Sequence, residues 1–313
     1  MWFAIVIAAQ LLGPVPVGGE QDFATCTVKG ESPVQPRLDA CSRVADAAAL
    51  DEKRIATAYA MLALFTSDGA GAIGYYDKAI ALVTDEPEYY ASRGLQYELL
   101  GEYDRAHADF EKGLALKPDH YNIFVFRALT YKQQKEEARA LADLDRALAI
   151  NPKHHVPYMI KGEILLAQGD TANALVAINN GLSANPDQPD LLFNKSEVYR
   201  KVGNDQGELA ALTRLNEVRP NVQRNLLYRA VLYRRLGKTD LAIADFDALI
   251  ALKPGEAFYR EQRAALEANK GPAPLVPKKQ TQVKKTPQKS EPDRECRVYV
   301  AAAALTISVP CAK

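Results

Sequence analysis

The side chains that could perform acid–base or metal chemistry in this sequence are few and scattered. Of the four histidines, His154 and His155 are adjacent and His120 stands alone among polar residues. A zinc site needs three or four cysteine, histidine or carboxylate ligands at short spacings. The histidine pair has no third ligand nearby, and the sequence contains neither Cys-x2-Cys nor His-Glu-x2-His. We therefore predict solvated histidines and no bound metal.

Motifs of the large enzyme classes are also absent. The sequence has no Gly-x4-Gly-Lys-Ser/Thr, no Gly-x-Gly-x-x-Gly and no serine in a nucleophile elbow. Acidic pairs such as Asp85-Glu86 and Glu136-Glu137 stand where helices are expected to begin, and carboxylates there stabilise the helix dipole. We predict no catalytic residue and no cofactor. An enzyme with an unrecognised site is the alternative from another class, and no residue is a candidate for it.

The spacing of the four cysteines, the remaining reactive side chains, favours structural disulfide bonds. Cys26 and Cys41 are 15 positions apart, and so are Cys296 and Cys311. Four cysteines allow three pairings, and the equal local spacings favour Cys26–Cys41 and Cys296–Cys311 in an oxidising compartment. Each closed loop would contribute about 3 kcal/mol by the chain-entropy estimate. The alternative is four free thiols in a cytosolic protein.

Residues 1–19 have the pattern of a secretory signal peptide. An apolar run from Met1 to Leu12 ends at Gly13-Pro14, and small residues at Val17-Gly18-Gly19 suit a signal peptidase. The run is shorter than the roughly 20 residues of a membrane span. It departs from the pattern in having no Lys or Arg before it. We expect a periplasmic or secreted protein that is not inserted in the membrane after cleavage; an uncleaved anchor or a buried N-terminal helix is the alternative.

The charge distribution argues against nucleic acid as the partner. The 313 residues include 39 Lys and Arg and 39 Asp and Glu, so no large excess of positive charge is available for phosphates. Basic residues are nevertheless concentrated at the end of the chain. Residues 271–295 are rich in Lys, Pro and Gln and contain few large apolar residues, which predicts a disordered linker.

A repeat in the sequence predicts the helices that carry the side chains described above. Prolines recur every 34 residues, at Pro118, Pro152, Pro186, Pro220 and Pro254. Alignment on them brings small and aromatic residues into register, and in the block 87–120 these are Tyr90, Gly94, Tyr97, Gly101, Ala106, Phe110 and Gly113. We expect each block to form two antiparallel helices that cross closely at the small residues. Glycine would end the first helix, and proline would disfavour helix in the residue before it.

This pattern resembles the tetratricopeptide repeat, W-x2-L-G-x2-Y…A-x3-F…P. The resemblance implies an all-α fold, a right-handed superhelix (α-solenoid) of about six helix-turn-helix repeats, because a single helix pair cannot bury its apolar stripe alone. The expected repeats are 53–86, 87–120, 121–154, 155–188, 189–222 and 223–256. The first lacks the terminal proline. The fifth has Ser196 and Glu208 where the family has small residues, so close helix contact there is in doubt.

The segments outside the repeats are expected to cap them or to extend beyond them. Residues 20–52 are predicted to be an N-terminal capping segment held by Cys26–Cys41, and 257–270 a C-terminal capping helix. Residues 296–313 alternate apolar and polar residues at both ends, which predicts a small hairpin closed by its cysteines.

In the tetratricopeptide family the first helix of each repeat lines a concave surface, and the resemblance transfers this role to particular residues. The implied apolar floor consists of Leu95, Leu129, Met159, Phe193, Leu227 and Val231. The basic residues at its C-terminal end are Arg200, Lys201, Arg224, Arg234 and Arg235. We expect a groove for an apolar or amphipathic segment, with the basic end facing a carboxylate. The alternative is that neighbouring helices bury the apolar residues and the basic ones are a solvated face.

The layout as a whole also resembles exported tetratricopeptide proteins of Gram-negative bacteria. We therefore predict a periplasmic scaffold or adaptor that binds an extended or amphipathic segment of another protein. One alternative is a self-gated protein whose residues 296–313 dock into its own groove. Another is an envelope-assembly or cell-wall-associated scaffold whose Lys-rich tail contacts an anionic polymer.

Overall fold

The computed structural model describes residues 19–28, 34–47, 50–269, 295–300 and 305–310. The predicted signal peptide up to residue 18 and the predicted linker up to residue 294 lie outside these ranges. Fifteen helices lie in the described residues up to 269: α1 (Glu20–Cys26), α2 (Val34–Ala45), α3 (Glu52–Phe65), α4 (Gly69–Leu82), α5 (Pro87–Leu99), α6 (Tyr103–Leu116), α7 (Tyr121–Gln133), α8 (Glu137–Ile150), α9 (His155–Gln168), α10 (Thr171–Ala184), α11 (Pro189–Lys201), α12 (Asp205–Val218), α13 (Gln223–Arg235), α14 (Thr239–Leu252) and α15 (Ala257–Ala268).

The chain divides into two compact units, and the division falls inside α8. Of the described residues, the N-terminal unit contains those up to 143 together with 295–300 and 305–310, and the C-terminal unit contains 144–269. Consecutive helices pack as pairs: α3 with α4 and α5 with α6 in the first unit, and α9 with α10, α11 with α12 and α13 with α14 in the second. The prediction of an all-α helical-repeat fold is confirmed.

The small and aromatic residues of the repeat form the cores of the helix pairs. In the N-terminal unit Phe110 is fully buried and packs with Ala106, Tyr97 and Ile123. A Cβ atom added to Gly94 would lie 2.7 Å from a ring carbon of Phe110. The glycine therefore permits the close crossing of α5 and α6 for which the repeat pattern selects it. In the C-terminal unit Phe246 occupies the corresponding position and is also fully buried.

The turn inside five of the six repeats, all but 53–86, has a left-handed backbone at a fixed position. Glycine stands there in four blocks, with φ between 68° and 85°: Gly101, Gly169, Gly203 and Gly237. Lys135 takes the same place in the block 121–154 with φ of 62°. The packing of the helix pair thus imposes the left-handed turn even on a residue with a side chain, for which it is unfavourable.

The first two helices are joined by a disulfide bond between Cys26 and Cys41. Both cysteines are fully buried, and Val44 and Met61 pack in the same cluster. Asp22 of α1, which is 4% exposed, accepts two hydrogen bonds from Arg43 of α2 at 2.6 and 3.1 Å. The covalent bond and the ion pair therefore link the same two short helices.

Two short strands, β1 (Glu295–Val300) and β2 (Leu305–Pro310), form an antiparallel pair. In its register Val298 is opposite Ile307 and Cys296 is opposite Val309. The predicted Cys296–Cys311 bond lies outside the residues whose side chains are described and stays a prediction. Within the described ranges, no helix combines the length and the apolar character that crossing a membrane would require.

Candidate peptide-binding surface

The predicted floor residues are half-buried or exposed rather than enclosed. In the C-terminal unit Met159 on α9, Phe193 on α11 and Leu227 on α13 are half-buried, and Val231 on α13 is 40% exposed. Leu95 on α5 and Leu129 on α7, both in the N-terminal unit, are also half-buried. Neighbouring helices therefore cover these side chains only in part, and each retains apolar surface that a ligand can contact.

The larger of two neighbouring concavities in the C-terminal unit lies between α9 and α11. It has a volume of about 640 Å³ and is lined by Glu163, Leu166, Ala167, Phe193, Asn194, Glu197, Arg200 and Lys201. Asn194 is 9% exposed, and its side-chain amide donates to the carbonyl oxygen of Met159 at 3.3 Å. This hydrogen bond ties α11 to α9 at the floor of the concavity.

The smaller concavity lies on the other side of Arg200, against α13. It has a volume of about 280 Å³, and its lining residues are Arg200, Glu208, Leu227, Tyr228, Val231, Leu232 and Arg235. The structure thus brings Phe193, Arg200 and Lys201 together in one concavity, and Leu227, Val231 and Arg235 in the other. Met159, Arg224 and Arg234 line neither.

An aromatic pair stands between the two concavities. The rings of Phe193 and Tyr228 meet edge to face, with centroids 5.5 Å apart and planes at 75°. The guanidinium of Arg224 lies 4.0 Å from the Phe193 centroid, and that of Arg200 lies 5.1 Å from the Tyr228 centroid. A guanidinium group and the edge of a second ring are both attracted to a ring face, because that face is electron-rich. Tyr228 and Asn194 were not predicted from the sequence, because each is the sixth residue of its repeat, whereas the predicted floor residues are at the fifth or ninth position.

Most of the predicted basic residues already have partners within the protein. Arg200 pairs with Glu197, and Arg235 pairs with Asp205 and with Glu208, the latter at 2.6 Å.

Two of the remaining basic residues make hydrogen bonds to neutral groups. Lys201 donates to the carbonyl oxygen of Leu166 at 2.6 Å, and Arg234 donates to the side chain of Gln262. In the described part of the chain Arg224 covers an aromatic ring and is recorded in no ion pair. Carboxylates therefore neutralise two of the five basic residues, Arg200 and Arg235, and Arg224 is the one that makes neither an ion pair nor one of these hydrogen bonds among the described residues.

The histidines are less exposed than the sequence suggested. His120, predicted to be solvated, is 3% exposed, and its Nε2 lies 3.0 Å from Glu88 Oε1. That hydrogen bond lowers the pKa of Glu88 to about 2. A hydrogen bond with Glu88, together with burial, raises the pKa of Glu86 to about 7. The prediction for His120 was wrong because its side chain is buried beside Glu88 of α5 instead of facing solvent.

His154 and His155 are half-buried, with ring centroids 5.2 Å apart. Burial lowers the pKa of both imidazoles. The Nδ1 atom of His154 accepts a hydrogen bond from Val156 at the start of α9. Within the described ranges, no three or more histidine, cysteine or carboxylate side chains are grouped so that they could hold a metal ion.

Comparison with known proteins agrees with this architecture. Models of the tetratricopeptide repeat match residues 87–120, 121–154 and 206–257. No curated protein matches the sequence.

Several solved structures share the fold. Pseudomonas aeruginosa pilF is 19% identical, with a TM-score of 0.56 over 68% of this chain and 99% of that one. PilW, described as a widely conserved type IV pilus biogenesis factor, is 19% identical, with a TM-score of 0.57 over 66% and 98%. The C-terminal part of a tetratricopeptide repeat-containing protein from Cytophaga hutchinsonii is 19% identical, with a TM-score of 0.53 over 64% and 81%. The family models thus identify tetratricopeptide repeats in residues 87–154 and 206–257, and the helices of these residues pack in the pairs that such repeats form.

Proposed function

We propose that the chain is a non-catalytic scaffold that binds an apolar or amphipathic segment of a partner protein at the two concavities of the C-terminal unit. The tetratricopeptide fold itself supports a protein–protein interaction scaffold. The observation that carries the finer proposal is the partial exposure of Phe193, Leu227 and Val231 around the concavities. Apolar side chains that stay accessible at a concave surface are typical of sites that receive a peptide or helix.

The charges around the concavities specify the partner further. Glu197 and Glu208 already neutralise Arg200 and Arg235, so neither is a free anchor for an acidic tail. Arg224 covers one face of the Phe193 ring and makes no ion pair with a carboxylate among the described residues. The partner segment is therefore chiefly apolar, with one carboxylate that meets Arg224 beside the aromatic pair.

Site-specific photo-crosslinking in intact cells tests this binding mode. A photoreactive amino acid in place of Val231, at the rim of the smaller concavity, is expected to trap a discrete polypeptide. The matched control is the same replacement at Leu241, an aliphatic residue of α14 that is 48% exposed and lines neither concavity. Equal adducts at both positions, or none at Val231, would contradict the proposal.

The proposed location is the periplasm. It is supported by the signal pattern of residues 1–19 and by the disulfide between Cys26 and Cys41, since such bonds persist in oxidising compartments. Mass spectrometry of the protein from cells is expected to show loss of the first 19 or so residues and no free thiol at Cys26 or Cys41. An intact N-terminus with alkylatable thiols at both positions would place the protein elsewhere.

A role in envelope assembly is a second candidate. Two solved structures that share the fold are pilF and PilW, and PilW is named as a pilus biogenesis factor. On this proposal the partner is a subunit of a surface structure, and deletion of the gene abolishes assembly of that structure while its subunits are still synthesised. Normal assembly in the deletion strain would exclude this role and leave the general binding function standing.

A self-gated variant of the binding function remains an alternative, with residues 296–313 as the internal ligand. Truncation after residue 270 is then expected to raise the crosslinking yield at Val231. An unchanged yield would argue against self-gating without affecting the proposal that a partner binds.

A further inference from the structure

A bidentate ion pair joins the two helices of three repeats. In each, an arginine of the first helix donates through Nε and Nη2 to both carboxylate oxygens of an aspartate sixteen residues later. The donor–acceptor distances lie between 2.7 and 2.9 Å. We call this ion pair the clamp, and its members are Arg93–Asp109, Arg127–Asp143 and Arg229–Asp245.

The clamp is missing from two consecutive repeats of the C-terminal unit, 155–188 and 189–222. The arginine position is occupied by Lys161 and Lys195, and the aspartate position by Ala177 and Ala211. The two alanines are 5% and 4% exposed, as buried as the aspartates they replace. Lys161 instead pairs with Asp145 of α8, and among the described residues no ion pair is recorded for Lys195.

The missing clamp changes the kind of force that holds these helices. A bidentate arginine–carboxylate pair fixes both the distance and the orientation of the groups it joins. Without it, α9 and α10 are held by apolar contacts, such as that of Gly162 with Ile178. Apolar association depends on buried area and has no directional preference, so it tolerates small sliding movements of one helix on another.

Within the C-terminal unit, the unclamped repeats are also the ones that form the larger concavity. All of its lining residues, from Glu163 to Lys201, belong to 155–188 or 189–222. We propose that these two repeats are a compliant segment of the C-terminal unit, in which α9 slides on α10 and α11 slides on α12 while the Asn194–Met159 hydrogen bond keeps α9 and α11 together, so that the concavity adjusts its shape to a ligand. Binding elements are commonly drawn from the less stable parts of a structure.

Hydrogen exchange of the full chain tests the proposal without a partner. In a repeat array each repeat is stabilised by its neighbours, so the inner helices α9–α12 would ordinarily be better protected than α13 and α14 nearer the end of the array. The missing clamp predicts the reverse: the core amides of α9–α12 exchange about fivefold faster than those of α13 and α14, once intrinsic rates are divided out. Equal or slower exchange in α9–α12 would overturn the proposal.

Installing a clamp gives the decisive comparison. Lys161→Arg with Ala177→Asp places the missing pair in the repeat 155–188, and exchange in α9 and α10 is expected to slow by about fivefold. The single substitutions are the controls, since neither restores the bidentate pair. A folded double variant that exchanges no more slowly than the single variants would contradict the idea.

The reverse variant covers the case in which the installed pair prevents folding. Arg229→Lys with Asp245→Ala gives the repeat 223–256 the residues of an unclamped one, and α13 and α14 are then expected to exchange as fast as α9–α12. Unchanged exchange there would also overturn the proposal. Neither result depends on the crosslinking at Val231, so failure of the proposed function and failure of this inference are distinguishable.

Discussion

The guanidinium carbon of Arg224 lies 4.0 Å from the centroid of the Phe193 ring, so that a charge from α13 covers an aromatic side chain of α11. The Phe193 ring also meets the ring of Tyr228 edge to face at 5.5 Å. Phe193 is thus fixed from two directions and is still only half-buried. The arrangement orients an apolar contact and places a positive charge beside it.

Arg224→Ala is expected to weaken partner capture while leaving the fold intact. An exposed cation–π contact and a rim ion pair each contribute about 1 kcal/mol or less, so the crosslinking yield at Val231 should fall by about fivefold, with little shift of the urea midpoint. The control is Arg219→Ala, which removes an exposed arginine from the preceding link that lines neither concavity. If both variants lower the yield equally, Arg224 only adds to a general positive field.

Asp245→Ala is expected to destabilise the C-terminal unit strongly. The aspartate side chain is 7% exposed and that of Arg229 is 18% exposed, so the substitution leaves a largely buried guanidinium without its carboxylate. Loss of one partner of such a pair costs about 3 kcal/mol. Urea denaturation of the full chain, followed by circular dichroism, measures the change.

An exposed ion pair of the same unit provides the comparison for Asp245→Ala. Arg214 pairs with Asp187 and Glu217, and its side chain is 50% exposed. Arg214→Ala is therefore expected to change the unfolding free energy by no more than about 1 kcal/mol. Comparable destabilisation by the two variants would show that burial does not govern the strength of these pairs.

Two helical glycines are expected to respond in opposite directions to the same substitution. A Cβ atom at Gly181 of α10 would lie 2.6 Å from Leu191 Cδ1 and 2.9 Å from Tyr158 Cβ, whereas at Gly74 of α4 it would meet nothing within 4 Å. Gly181→Ala should destabilise by about 1–3 kcal/mol, because the backbone-linked Cβ of Tyr158 cannot move aside easily. Gly74→Ala should stabilise by about 0.5–1 kcal/mol through helix propensity. Thermal denaturation checks both predictions. A higher melting temperature for Gly181→Ala would mean that the helices around Gly181 move apart readily enough to accept a methyl group.

The periodic prolines and small residues allowed the helical-repeat fold to be predicted, because they recur with the period of the structural unit itself. Residues such as Gly94 and Phe110 touch each other within one repeat, so their types and spacing are enough to show how they pack. The clamp has the same period and was visible in the sequence as Arg93, Arg127 and Arg229. It was not predicted, since charged residues at helical spacing are ordinarily solvated.

The candidate site could be predicted only in part. The half-buried floor residues Phe193 and Leu227 follow from their positions in the repeat. The stacking of Arg224 and the neutralisation of Arg235 by Glu208 depend on contacts between different repeats. Long side chains choose among several rotamers according to their neighbours, and a repeat alignment does not contain that information.

The last prediction concerns pH and the cluster of Glu86, Glu88 and His120. The folded pKa of Glu86 is about 7, above the ordinary 4.5, chiefly because of its hydrogen bond with Glu88. The folded state therefore holds this proton more tightly than the unfolded state, and the resulting stability, present below pH 4.5, is lost as pH rises through about 7. The folded pKa of Glu88 is lowered to about 2, so its stabilising effect is lost only as pH falls from 4.5 towards 2.

Between pH 5 and pH 8, then, Glu86 is the member of this carboxylate pair whose proton binding differs between the folded and unfolded states. Glu86→Gln is expected to make the urea midpoint less sensitive to pH across that interval, by the equivalent of about 1 kcal/mol or less, since solvent screens a partly exposed group. Glu52→Gln, which removes an exposed carboxylate lining the same surface recess as Glu86, is the control. If both variants alter the pH dependence alike, the effect belongs to the general charge of the recess rather than to the hydrogen bond that Glu86 shares with Glu88.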